Sequence, residues 1–160
     1  MKQLKLEIAI EIIKHYTELS AVEQELCEAA ILAKANAYAI YSNFQVGSSV
    51  LLENGKIISG SNQENAVYPL TLCAERVAIF AASHQYPMMK FKKIAVATSF
   101  KETENELAIF PCGSCRQVIR EQEVRYDSPI EVLVIADSGK VYKMPSIQEI
   151  LPFSFDKTAL

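Results

Sequence analysis

Two short cysteine-bearing segments constrain this chain more than anything else in it: Leu72, Cys73, Ala74, Glu75, Arg76 and, well downstream, Pro111, Cys112, Gly113, Ser114, Cys115, Arg116. Together they hold three of the four cysteines. A thiol at a helix start is made acidic and reactive by the positive end of the helix unless something binds it. Zinc binds such thiols. Cys112 and Cys115, with two residues between them, can converge on one tetrahedral ion, and Cys73 is available as a third protein ligand. Any fold for this chain must therefore bring the two segments to one point. Three protein ligands leave a fourth position open, which is the catalytic arrangement, since water can sit there and be acidified. Glu75 lies two residues past Cys73, close enough to reach that water without ligating the ion, and is the candidate general acid and base.

Two rival readings stay open from the residues alone. A structural zinc site needs a fourth protein ligand, for which Cys27, His15 and His84 are the spare candidates; it leaves Glu75 without a role. A dithiol oxidoreductase using Cys112 and Cys115 leaves Cys73 and its neighbouring acid unexplained.

At 160 residues, half of them hydrophobic, the chain is expected to be one globular domain, 1–160, with residues 1–19 as an N-terminal extension. The net charge is -3 and no basic block occurs, which argues against nucleic acid as a partner and for a small neutral substrate. No stretch of eighteen apolar residues exists, so no membrane partner is expected, and the start, Met1 to Glu7, is charged where a signal peptide is apolar. The expected location is the cytoplasm, whose reducing conditions suit a thiolate metal site better than disulfides.

In the extension, Leu4, Leu6, Ile8, Ile10 and Ile12 alternate with Lys5, Glu7 and Glu11. Period two predicts a strand, although the Ile12–Ile13 pair leaves a helix possible. Such a strand could cover a sheet edge or make an oligomer contact. Ser20 with Glu23 three residues on is a capping box, and Val22, Leu26, Ala30, Ala33 and Ala37 recur at helical spacing, predicting a helix over 20–36 with Cys27 as a small buried hydrophobe. Val46–Leu52 and Lys56–Gly60 flank Asn54-Gly55, which suits a type I′ hairpin turn. A polar loop then leads to Cys73, and the helix that follows is expected to end near Ser83, with His84 serving its terminus. Phe91–Thr98 reads as a buried strand, Lys101–Glu106 as a solvated loop or insertion, and Pro111 has the φ that opens a second helix from Cys112 to about Gln122. Pro129–Ala136 and Gly139–Lys143 make a last pair of strands, followed by a short helix near Ile147. The expected class is α/β: a three-layer α/β/α domain with a mixed five-stranded sheet and one extra strand from the extension, the two cysteine helices side by side with their N-termini aimed at one spot.

From about Asn36 to its C-terminus the chain resembles the cytidine deaminases, of the small kind that uses three cysteines where larger relatives begin the site with histidine. The resemblance rests on the two cysteine motifs with their non-ligand Glu, on Tyr41, Ser42, Asn43, Phe44, Gln45, Val46, Gly47, on Asn62, Gln63, Glu64, and on the ending Leu151, Pro152, Phe153, Ser154, Phe155. Family members usually carry Pro in place of Ile40 and Gln45. The resemblance implies zinc-dependent hydrolytic deamination of cytidine and 2′-deoxycytidine to uridine and 2′-deoxyuridine with release of ammonia, in pyrimidine salvage. It implies one Zn²⁺ per chain on Cys73, Cys112 and Cys115, Glu75 as the catalytic acid and base, and Phe44 against the pyrimidine. Asn62 and Glu64 hold the ribose 3′-hydroxyl, with Ala74 and Tyr68 as further substrate contacts. Phe155 matches an aromatic that a neighbouring subunit contributes in a homotetramer whose active sites lie at subunit contacts. A relative acting on aminoglycosyl-nucleoside antibiotics shares the cysteine motifs, but the Asn62 and Glu64 pair favours ordinary nucleosides.

Three thiolates and one Zn²⁺ sum to a charge of -1, a poorer setting for acidifying water than three histidines offer. Two helix N-termini and a neighbouring arginine can offset it. Arg76 and Arg116 each follow a cysteine motif; the resemblance favours Arg76, leaving Arg116 free to pair with a carboxylate.

Overall fold

The computed structural model describes residues 1–99 and 108–159; the predicted loop Lys101–Glu106 lies outside them. In chain order the main elements are β1 (Glu11–Ile13), α1 (Ala21–Ala33), β2 (Val46–Leu52), β3 (Ile57–Ser61), α2 (Ala74–Gln85), β4 (Phe91–Thr98), α3 (Gly113–Tyr126), β5 (Glu131–Ile135) and β6 (Val141–Met144), with a 3-10 turn at Ile147–Ile150. The strands form one six-stranded sheet in the order β1-β6-β5-β4-β2-β3. Among the described strand pairs only β4–β5 is parallel, so the sheet is mixed, as expected. It has the five expected strands plus one from the extension.

Alternation along the strands sorts the core into two layers. Val50, Leu52, Ile94, Val96, Val132 and Val134 point to one face, where α2 and α3 lay down Ala78, Ile79, Ala82 and Ile119. Leu51, Ala95, Ala97, Leu133 and Ile135 point to the other, where α1 supplies Leu26, Cys27 and Ala30. Both cysteine helices therefore share a face and α1 alone covers the other, which gives the three layers. Cys27 is fully buried in the α1 layer, and burial pushes its thiol up to about 12, so it behaves as a small hydrophobe.

Several boundaries differ from the expectations. The N-terminal strand is shorter than the alternation from Leu4 to Ile12 predicts. Pairing with β6 covers Glu11–Ile13 alone, because a periodic pattern marks a strand-competent segment while the ladder needs a partner of matching length. The Asn54-Gly55 hairpin is not type I′. Gly55 has φ 81 but Asn54 is not among the residues of positive φ; the Gly55 amide donates to Leu52 O (3.0 Å) and the Leu52 amide to Lys56 O (2.9 Å), giving a three-residue loop. Pro111 precedes the cap of α3 rather than opening the helix, and α3 runs on to Tyr126, stopped by Asp127 in a left-handed conformation.

The entry to α1 carries a charge cluster that the sequence does not announce. The Glu23 carboxylate accepts from the Ser20 amide (3.1 Å), closing the helix start, and from Lys93 (2.9 Å) and Lys143 (2.7 Å) on the sheet, both of which also pair with Glu131. Burial pushes the Glu23 carboxyl up, but its hydrogen bonds with Lys143, Ser20 and Lys93 together hold it well below the usual carboxylate range. A carboxyl depressed in the folded state adds stability above its unfolded pKa, near 4.3, and loses it as pH falls toward the folded value. Glu23→Gln is therefore expected to unfold at a urea midpoint that changes less between pH 6 and pH 3 than that of the parent chain, although lower at pH 6. Parallel pH profiles for the two proteins would place the acid sensitivity elsewhere.

Candidate active site

Two helix starts and one strand end build the site. Cys73 is the N-cap of α2 and Cys112 the N-cap of α3, both in extended conformation, and Cys115 lies in the first turn of α3. The Cys73 and Cys112 sulfurs are 3.9 Å apart and those of Cys112 and Cys115 3.6 Å, all three within 4.8 Å of one another. Three thiolates on a tetrahedral Zn²⁺ at ~2.3 Å stand about 3.8 Å from each other. The donor set and its spacing fit that ion. Among the described residues no fourth ligand joins this group: Cys27 is in the layer across the sheet, His84 sits exposed in the last turn of α2, and His15 packs on Gly139.

Electrostatics at the cluster follow from contact and burial. The hydrogen bond from Cys115 and then the guanidinium of Arg76 hold the Cys73 thiol at about 5 against the opposing effect of burial. Cys115, donor in that bond and buried, is pushed up. Glu75, 4% exposed, is likewise pushed up by burial, a bias toward carrying a proton.

Arg76 reaches back across the helix start. Its Nη2 donates to Thr71 O (3.0 Å) and to Cys73 Sγ (3.7 Å), so it stabilises negative charge on that sulfur. Among the described residues Arg116 meets neither a thiolate nor a carboxylate, the two partners anticipated for it. Its Nε and Nη1 donate to Pro111 O (2.6 Å) and Ile150 O (2.8 Å), which ties the approach to α3 to the C-terminal turn. Arg76→Ala is expected to fold but to lose zinc affinity or turnover by roughly 10- to 100-fold. Titration with a competing chelator, alongside initial rates, checks it; equal metal content and equal rate in the variant would dispose of that role.

In front of the sulfurs lies a cavity of about 220 Å³, whose walls include Phe44, Asn62, Glu64, Cys73, Glu75 and Cys112. That is smaller than the ~300–1,000 Å³ that holds drug-sized ligands, so it suits a single ring with its substituent at the mouth. The polar side of the cavity is stitched to the metal side by backbone pairs. Gln63 and Leu72 exchange two hydrogen bonds (2.9 and 3.0 Å), while Tyr38 donates to Asn62 O (3.0 Å) and accepts from the Glu64 amide (2.8 Å). Asn62 Oδ1 accepts from Val46 N (2.8 Å) and its Nδ2 donates to Phe44 O (2.9 Å), which sets where Phe44 enters the cavity. The Glu64 carboxylate accepts from the amides of Tyr41 (2.8 Å) and Ser42 (3.3 Å) and from the Ser42 hydroxyl; that hydroxyl and those amides keep it charged.

Not every anticipated contact lies in this cavity. Ala74 is fully buried between Cys73 and Glu75, Tyr68 is exposed on a shallower hollow shared with Glu64 and Thr71, and Phe155 is exposed on the tail with its carbonyl accepting from Gln117 (2.8 Å). Sequence reasoning did not single out Ser42, Thr71, Val96, Thr98 or Phe110, which also line the cavity. Ser42 alone carried a signal, as the hydroxyl two residues before Phe44.

The match that decides the family covers the cysteine segments themselves: residues 20–126 fit the model described as the cytidine and deoxycytidylate deaminase zinc-binding region. The chain belongs to this deaminase family. A cytidine deaminase of Halalkalibacterium halodurans is 43% identical over 98 residues, spanning 61% of this chain and 70% of that one. A cytidine deaminase of Mycobacterium tuberculosis is 35% identical over 111 residues, 68% of this chain and 79% of that one. In structure, the crystallographic cytidine deaminase of Burkholderia pseudomallei superposes with a TM-score of 0.72 at 38% identity, over 82% of this chain and 97% of that one. The deaminase relatives thus share the mixed sheet with helices on both sides. Among the described residues of this deaminase-family chain, no helix is long and apolar enough to cross a membrane.

Proposed function

We propose that the chain is a cytidine deaminase: water and cytidine, or 2′-deoxycytidine, give uridine, or 2′-deoxyuridine, and ammonia, in pyrimidine salvage. The observation that carries this reading is the set of three sulfurs 3.6 and 3.9 Å apart at two helix N-termini, with the buried carboxyl of Glu75 in the same small cavity. Cys73, Cys112 and Cys115 would hold one Zn²⁺ per chain, and that ion when bound would supply an acidified water at neutral pH. Glu75 takes a proton from the attacking water and delivers it to N3 of the base as the water oxygen bonds to C4; it then takes the proton of the new C4 hydroxyl and hands it to the amine, whose bond to C4 breaks to release ammonia and leave the C4 carbonyl. Its burial favours the protonated form that the donating step requires.

Phe44 packs on the pyrimidine, and Arg76 stabilises the charged sulfur of Cys73. Asn62 and Glu64 serve the ribose 3′-hydroxyl. The amide of Asn62 keeps one lone pair and one N–H beyond its two backbone bonds, and the Glu64 carboxylate is a held, charged acceptor. Ala74 contributes through the helix start that it occupies. Tyr68 and Phe155, both exposed here, serve pockets at subunit contacts in a homotetramer. The chain works as one domain in the cytoplasm on a small nucleoside.

The direct test is the ultraviolet change of cytidine on incubation with the purified protein. Turnover is expected, lost on treatment with a zinc chelator and restored by added Zn²⁺. Zinc-loaded protein that leaves cytidine and deoxycytidine unchanged would overturn the reading.

A further inference from the structure

The N-terminal segment lies outside both the family-matched region and the site. Among the described residues β1 ends the sheet, paired with β6 on one edge and with nothing on the other. Residues 1–10 form no helix or strand, although the Ala9 amide is anchored on the Glu149 carboxylate (2.8 Å) beside Lys143 and Pro145. Leu4, Leu6, Ile8 and Ile12 are 75%, 53%, 57% and 60% exposed, and all share one parity with Ile10, which packs on the core of the α2 and α3 layer. An apolar stripe along an open edge is a template for another strand.

We infer that residues 4–12 pair antiparallel with the same residues of a second copy, about a twofold axis through Ile8. The charges choose both the occupant and the register. With Ile8 opposite Ile8, Leu6 meets Ile10 and Leu4 meets Ile12, which makes one face wholly apolar. On the other face Lys5 meets Glu11, twice by symmetry, and Glu7 meets Ala9. Centring the pair on Glu7 sets Glu7 against itself, and centring it on Ala9 sets Glu7 against Glu11. Centring on Leu6 puts Lys2 opposite Ile10, and odd slips put Leu or Ile opposite glutamates. Glu11 already faces Lys143 on β6, so the partner's Lys5 completes an alternation of charge across three strands.

A free two-stranded ribbon is marginal in water, but here each half continues a six-stranded sheet. The contact is isologous, so it closes on itself and uses up the exposed edge.

Cysteine cross-linking of the full-length, zinc-loaded chain tests the register. Residues directly opposite in such a pair have Cα atoms about 4.5–5.5 Å apart, inside the range a disulfide spans. Oxidised Ile8→Cys is expected to give covalent dimer at about 10-fold or more the level of Glu7→Cys, whose opposite residue is Ala9 and not itself. A mixture of Leu4→Cys and Ile12→Cys chains is expected to give a heterodimer that neither gives alone. These positions are exposed and far from the cysteine cluster, so zinc content serves as the control for folding. Dimer from Ile8→Cys no greater than from Glu7→Cys, or no heterodimer from the mixture, would overturn the pairing.

Discussion

Glu75→Gln is expected to yield a folded chain that still holds one zinc and deaminates cytidine slower by roughly 10³- to 10⁴-fold, the upper part of what a positioned acid and base contributes. The side chain is 4% exposed and lies one position into α2, directly after the fully buried Ala74. An amide of the same shape fills that space without a cavity, so the fold and the three sulfurs have no reason to move. What disappears is the ability to give up and regain a proton beside the sulfurs. Burial already pushes the carboxyl upward, which favours its protonated form, and among the described residues no other carboxyl lines the cavity except Glu64. Glu64 cannot substitute, because the amides of Tyr41 and Ser42 and the Ser42 hydroxyl hold its carboxylate in the charged form. Metal analysis with initial rates reads both halves of the prediction. A variant with full zinc and near-parental turnover would remove Glu75 from the chemistry.

Gly47→Ala is expected to destabilise the fold by about 3 kcal/mol, lowering the melting temperature by roughly 5–10 °C, while leaving zinc content per folded chain unchanged. Gly47 sits at the start of β2 where α1 crosses it. A Cβ there would stand 2.0 Å from the carbonyl oxygen of Ala30 and 2.8 Å from the amide nitrogen of Lys34, both backbone atoms of the helix and its 3-10 extension. Neither can turn aside as a side-chain tip can, so α1 must lift from the sheet and loosen Leu26 and Ala30 against Leu51, Ala95 and Ala97. The cysteine helices lie on the opposite face, which is why the metal site is spared. Thermal unfolding followed by far-ultraviolet circular dichroism measures the loss. An unshifted transition would mean that the α1 layer is not close-packed at this point.

Much of this architecture was legible because it depends on local chemistry. Ser20 and Glu23 mark the start of α1 through bonds that both residues make to nearby backbone, and the structure begins α1 at Ala21. The paired apolar runs around Asn54-Gly55 become β2 and β3, since alternation and a turn-forming dipeptide act over a few residues. The turn type was misread for the same local reason. Asn tolerates positive φ but does not require it, and a three-residue loop fits the register in which Leu51 faces Ile57 across β2 and β3. The length of β1 lies beyond local reach, because the alternating stripe states what the segment can pair with, while the ladder with β6 joins it only to Val141, Tyr142 and Lys143.

At the active site, chain order alone determined the chemical inventory: three thiols in two motifs, a carboxyl two residues past the first, and an arginine behind it. Spacing within each motif places those groups relative to their own helix starts, so the ligand type and the need for convergence follow from short-range geometry. The three-dimensional packing decided the rest. It placed both helices on one face of the sheet with sulfurs 3.6 and 3.9 Å apart, spent Arg116 on two carbonyls instead of a thiolate, and walled the cavity with Val96, Thr98 and Phe110 from distant segments. It also drew Glu23, Lys93, Glu131 and Lys143 into one cluster. Those choices depend on which strand lies beside which, and strand order is settled by burial summed over the whole sheet, a quantity that no local stretch of residues carries.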